Sequence, residues 1–176
     1  MVTYVSMLRG INVGGKRRVQ MDALKECYQS LGLADVRTYI QSGNVLFRTD
    51  SRNTSMLTGI IEAAMKKTWG FDVKVLVRTS NDMKKVVESS PFRHLDQSKV
   101  HVTFLFSRAR PPTKSLESAK SNDEEFSVRG QEVYLYCPNG YGKSKLSNSL
   151  FEERLGVFAT TRNWNTVTAL QSLAST

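Results

Sequence analysis

The chain is poor in the residues that staple or ligate. Its 176 residues include two cysteines, two histidines and four prolines. Cys27 and Cys137 stand far apart in sequence, and neither has a CxxC partner or a nearby histidine. Both read as reduced thiols rather than parts of a disulfide framework or a zinc site. His94 and His101 have no carboxylate or cysteine at ligand spacing, so neither a metal nor a cofactor is expected. No apolar run approaches the roughly 20 residues that a membrane span needs. Met1-Val2-Thr3-Tyr4 carries no basic segment leading into such a run, so the reading is cytoplasmic with no membrane partner. A nucleophile–base set and a carboxylate pair are also missing, so no catalytic residue is assigned and an enzyme is not favoured. Acidic residues are scarce as well. Sixteen Asp and Glu face 25 Lys and Arg, a net charge of +9. That balance suits an anionic small molecule, a nucleic acid or an acidic protein.

What is present is an ordinary globular composition, 40% hydrophobic and 23% charged. Strand-forming residues at 3–9, 36–40, 45–48 and 73–78 alternate with helical spacing over 21–31 and 56–69. The order β-α-β-β-α-β predicts an α+β fold: a ferredoxin-like N-terminal module over 1–79, with an antiparallel sheet. Residues 80–176 predict a smaller α+β module packed on the first. Its strands fall at 100–106, 125–129 and 132–136, and 108–112 is a basic, proline-containing connection. A last helix over 162–173, with Thr161 as N-cap, stands where the first module has its fourth strand. No low-complexity linker separates the halves, so one compact domain is an equal description.

Four polar segments carry the candidate chemistry. The first is Leu8-Arg9-Gly10-Ile11-Asn12-Val13-Gly14-Gly15-Lys16, followed by Arg17 and Arg18. Glycines let backbone N–H groups approach an anion, and the cations complement it. Gly10-x4-Gly15-Lys16 begins as a P-loop does, but Arg17 stands where Ser or Thr would hold Mg²⁺, and the helix pattern starts only near Met21. An NTPase is therefore not expected. A loop holding one phosphate or carboxylate, and a plain turn, both remain open. The second segment is Thr38-Tyr39-Ile40-Gln41-Ser42-Gly43-Asn44, which suffices as a hairpin turn. It is expected at the opposite end of the sheet from Lys16. The third is Gly140-Tyr141-Gly142-Lys143-Ser144-Lys145, an anion loop or a capped helix entry. The fourth is Thr160-Thr161-Arg162-Asn163-Trp164-Asn165-Thr166, with Trp164 as anchor and Arg162 facing a ligand or buried backbone. Tyr4 and Phe47 are the strand aromatics available for stacking RNA bases, but the surrounding residues do not meet the RNP1 pattern.

Taken together, these four segments resemble the family catalogued as domain of unknown function 1697. The likeness runs from the first strand to the last helix. It implies a compact, mostly bacterial α+β protein with a ferredoxin-like part. It supplies no activity, cofactor or catalytic residue.

The expectation is thus a protein binding an anionic ligand: a nucleotide, a nucleic acid or a phosphorylated metabolite. The ligand-binding candidates are Arg9, Asn12, Gly14, Gly15, Lys16, Lys143, Lys145, Arg162 and Asn163. Two alternatives stay open. One is an enzyme on a small phosphorylated or carboxylated substrate, with Arg9 and Lys16 as clamp and Ser42 or Asn163 assisting. The other is a protein-interaction module whose motifs only stabilise the fold. The sequence sets no oligomeric state.

Overall fold

Alternating side chains build the first sheet. In the computed structural model, which describes residues 1–108 and 113–176, β1 is Val2–Leu8. It is followed by α1 (Met21–Ser30), β2 (Ala34–Tyr39), β3 (Asn44–Thr49), α2 (Thr54–Trp69) and β4 (Val75–Thr79). The strands lie in the order β2-β3-β1-β4, and all neighbours are antiparallel. Tyr4 faces Phe47, Ser6 faces Val45 and Leu8 faces Val75. That face is the core. Tyr4, Leu8, Val45 and Phe47 cluster with Leu24 and Tyr28 of α1 and Leu57, Ile61 and Met65 of α2. Each fully buried side chain of this size contributes about 1.5–3 kcal/mol. Helix α2 starts where Asn53 accepts the Met56 N–H at 3.0 Å, and it ends at Gly70, φ 77°.

Tyr4 and Phe47 stack at 5.6 Å between centroids, with Tyr28 edge-on to Phe47 at 5.7 Å. They are 1% and 0% exposed. These two rings, which the missing RNP1 pattern already made a poor platform for RNA bases, are covered by the protein's own helices.

The second half repeats this order. After α3 (Ser80–Glu88) come β5 (Val100–Leu105), α4 (Thr113–Glu117), β6 (Glu125–Arg129), β7 (Glu132–Tyr136), α5 (Asn148–Leu155), β8 (Ala159–Asn163) and α6 (Trp164–Ala174). The sheet order is β6-β7-β5-β8, again antiparallel throughout. Its core holds Leu105, Val133, Leu135, Leu146 and Phe151.

Here the helix expected over 162–173 is corrected. Arg162 and Asn163 close strand β8, which pairs Thr161 with Thr103 and Arg162 with Val102. The β-branched Thr160 and Thr161 favour the pleat over the helix. The helix opens two residues later than predicted, with Asn163 Oδ1 accepting the Thr166 N–H at 2.8 Å in place of Thr161. The fourth strand of the second half is thus present, not replaced.

Two units compose the chain: Met1–Lys85 with Ala169–Thr176, and Val86–Thr168. The mixed α+β class is as expected, with two four-stranded antiparallel sheets and, among the described residues, six α-helices. The predicted connection over 108–112 lies, beyond Arg108, outside the described residues. Among the described residues, no helix is long and apolar enough to cross a membrane, and no group of His, Cys, Asp and Glu could hold a metal ion.

Candidate functional site

The first two segments meet in the first unit. Because β1 and β3 are antiparallel, Met7 at the end of β1 faces Asn44 at the start of β3. The β2–β3 hairpin therefore lies beside the glycine loop, which corrects the expectation of opposite ends. The Leu8 N–H donates to the Gly43 carbonyl at 2.9 Å, and Asn12 Nδ2 donates to the Gln41 carbonyl at 2.8 Å. Gly43 (φ 79°) sits so close that a Cβ there would lie 2.7 Å from Ile11 Cδ1. Asn44 Nδ2 donates to the Tyr39 carbonyl and to Ser42 Oγ, which fixes the turn.

Asn12 is the brace of the loop. Its Nδ2 also donates to the Val19 carbonyl at 2.9 Å, and its Oδ1 accepts the Val19 N–H at 2.8 Å. Its amide thus bonds three backbone groups. Its φ of 55° is a conformation that Asn tolerates better than most residues. Between Asn12 and Val19 the chain forms a small hairpin. Val13 pairs with Lys16 across Gly14 (φ 59°) and Gly15 (φ 72°). The Lys16 N–H donates to Val13 and the Asn12 N–H to Arg17. Two successive positive φ values mark a type I′ turn.

The hairpin tip is exposed, as are Lys16, Arg17 and Arg18. Arg17 Cζ lies 5.9 Å from the centroid of the Phe71 ring. Among the described residues, none of these three cations makes an ion pair. The base of the hairpin bounds an open pocket of about 310 Å³, lined by Asn12, Gly15, Arg18, Val19, Gln20 and Gln41. Of the predicted residues, the fold brings Asn12, Gly14, Gly15 and Lys16 together here. Arg9 lies at the foot of the loop, its N–H donating to the Lys74 carbonyl at 2.9 Å. Arg18 and Gln41, which belong to the first two polar segments but not to the ligand-binding candidates, line the pocket together with Gln20. In an antiparallel β1–β3 pair the end of β1 and the β2–β3 hairpin share one end of the sheet, which places Gln41 here.

In the second unit the other two segments meet. The Tyr141 ring stacks on His101 at 4.8 Å. Tyr141 OH donates to Thr161 Oγ1 at 3.2 Å, and Thr161 donates to Asn148 Oδ1 at 2.6 Å. Thr103 Oγ1 lies 2.7 Å from Thr161 Oγ1. A hydroxyl has one proton, and that of Thr161 goes to Asn148, so Thr103 is the donor in its pair. Burial raises the Tyr141 hydroxyl's pKa. Burial also lowers the pKa of His101, whose Nδ1 is buried without a hydrogen-bond partner among the described residues.

Lys143 and Lys145 stand exposed beside this turn. Arg162 is buried, donating to Thr160 Oγ1 at 2.7 Å and to the Thr161 carbonyl at 3.0 Å. Burial lowers its guanidinium pKa to about 10. Trp164 is buried at 8% exposure, as an anchor should be.

Fold and segments together define a mixed α+β protein of two four-stranded sheets, each repeating one strand order, with a braced glycine hairpin at the end of the first. The chain belongs to the family described as Protein of unknown function (DUF1697), whose model matches residues 1–134. A similar solved structure is that of the conserved bacterial protein SP0830 from Streptococcus pneumoniae. It is 24% identical, with a TM-score of 0.75 and 98% of each chain covered. That likeness is one of fold. No curated protein matches the chain.

Proposed function

We propose that this protein binds an anionic ligand at the pocket under the glycine hairpin. The observation that carries the reading is the braced hairpin itself. Three hydrogen bonds from the Asn12 side chain hold a turn that presents Gly14, Gly15, Lys16 and Arg18 beside a pocket open to solvent. Preorganised N–H groups and cations cost little to arrange around a phosphate or carboxylate. Asn12 acts as scaffold, and Arg18 and Gln41 join Arg9 and Lys16 as contact residues. In the second unit, Lys143 and Lys145 are exposed cations, whereas Arg162 and Asn163 serve the fold.

The strand order β2-β3-β1-β4 with the element order β-α-β-β-α-β supports naming the first unit ferredoxin-like, and the repeated order supports the same name for the second. Binding without catalysis is favoured over an enzyme. Ser42 Oγ and Asn163 Oδ1, the groups that would assist a reaction, accept hydrogen bonds that fix a turn and a helix start.

The test is titration with inorganic pyrophosphate and a nucleotide panel, followed by the amide NMR shifts of Gly14 and Gly15. Binding at low salt is expected, weakened about tenfold in Arg18→Ala, as for loss of one charge-assisted hydrogen bond. No binding by any member of the panel overturns the proposal.

A further inference from the structure

The hairpin over residues 12–17 has a shape that a small-anion site does not need. It is a tight hairpin turn closed by a single Val13–Lys16 bridge, and its tip, Gly14-Gly15, carries no side chains. Lys16, Arg17 and Arg18 follow one another after the turn, with Arg17 at φ 49°, and all three are exposed. The pocket at its base is open rather than enclosing. Small metabolites are usually buried over most of their surface, whereas a polyanion lies across a surface. Among the described residues, Lys16, Arg17 and Arg18 make no ion pair, while Asp72 pairs with Lys66 at 3.0 Å and Glu62 with Lys74 at 3.5 Å.

We infer that the hairpin is a phosphate-contacting arm for duplex DNA, a step that rests on the anion-binding reading of the same site. Three observations select this partner. First, single-strand binders stack bases on aromatic rings. The exposed large apolar residues described in this unit are Met1, Val13, Ile40 and Met56, none of them aromatic, and the ring beside the hairpin, Phe71, is half-buried with Arg17 over it. Second, the sheet aromatics Tyr4 and Phe47 are buried beneath helices, so the sheet offers no platform for bases. Third, the narrow tip of this hairpin, two glycines without side chains, fits the DNA major groove, about 12 Å wide, but not the deep and narrow major groove of duplex RNA. The bond from Asn12 to Gln41 ties the hairpin to the β2–β3 turn, so little ordering is needed on binding. Gln41 and Arg18 stand at its base, where phosphates flanking the groove would lie. Binding of this kind is directed at the backbone, with weak sequence preference.

Fluorescence anisotropy with a labelled DNA duplex of about 20 base pairs tests this, beside its single strand, the RNA duplex of the same sequence, and pyrophosphate titration. DNA duplex is expected to bind most tightly and to weaken steeply between about 50 and 200 mM salt. The variant Lys16→Ala/Arg17→Ala/Arg18→Ala is expected to lower the slope of log K against log salt by about 2–3 and to keep the wild-type circular dichroism spectrum. Tighter binding of the single strand or of RNA overturns the inference, and so does a slope that the triple variant leaves unchanged. Pyrophosphate binding without duplex binding overturns this inference alone. Failure of both overturns the anion-binding reading with it.

Discussion

At the scale of the residue, Gly43 joins two distant stretches of chain. Its φ of 79° lies in the left-handed region, and its missing Cβ is the space that Ile11 and Leu8 fill. A methyl group there would meet Ile11 Cδ1 at 2.7 Å and Leu8 Cβ at 2.9 Å. Leu8 is at the end of β1, so that neighbour has little room to give. Gly43→Ala combines the left-handed penalty of about 1–2 kcal/mol with overpacking of about 1–3 kcal/mol. Gly59 gives the contrast. It is an exposed glycine inside α2, with nothing within 4 Å of an added Cβ. Denaturant unfolding is expected to show Gly43→Ala less stable by roughly 2–5 kcal/mol, and Gly59→Ala more stable by about 0.5–1 kcal/mol. Equal effects at the two positions would remove the hairpin contact as the reason for the glycine. Asn12 makes a similar point about reading residues. Its amide beside a Gly-Lys loop suggests a ligand contact, yet its polar atoms are bonded to Val19 and Gln41.

At the scale of the element, the strands and helices of the first unit were legible because apolar periodicity changes cleanly between them. Strand β8 was not. Its sequence, Ala159-Thr160-Thr161-Arg162-Asn163, is short and mostly polar. It is set by pairing with β5 and by the Thr103–Thr161 hydroxyl contact, both long-range. A polar run before a tryptophan reads as the first turn of a helix when its partner strand is out of view. His101 reads from sequence only as a histidine without ligand partners, because its stacking partner lies far along the chain. In β5 it stacks on Tyr141, and burial holds its pKa below the ordinary 6.5. The folded state then favours the neutral ring. Below about pH 6.5 the unfolded chain takes up a proton that the folded protein resists, so stability falls as pH falls. His101→Phe keeps a ring for the stack and removes the titration. The wild type is expected to lose more stability than this variant between pH 7 and pH 5, measured by denaturant unfolding at each pH. Parallel losses would show that His101 carries no such linkage.

At the scale of the whole molecule, the repeated order β-α-β-β-α-β and the excess of positive charge act on different properties. The repeat gives each unit its own buried cluster, around Leu8, Phe47 and Ile61 in one and around Leu105, Leu135 and Phe151 in the other. Neither cluster depends on charge. The net charge of +9 works against folding, because compaction brings like charges closer. The ion pairs offset little of this. Lys66–Asp72 and Arg48–Asp35 are solvent-exposed on both sides, and such pairs contribute about 0–1 kcal/mol at most. Repulsion summed over 25 cations and 16 carboxylates is long-ranged at about 10 mM salt, where the screening length is near 30 Å. It falls to about 8 Å at 150 mM. Raising sodium chloride across that interval is therefore expected to stabilise the protein by on the order of 0.5 kcal/mol, or about 1–2 °C in Tm. The same change weakens any bound nucleic acid, so stability and affinity should move in opposite directions with salt. Thermal unfolding of the ligand-free protein at the two salt concentrations decides the point. A lower Tm at 150 mM would mean that attractive pairs, rather than the excess positive charge, dominate its electrostatics.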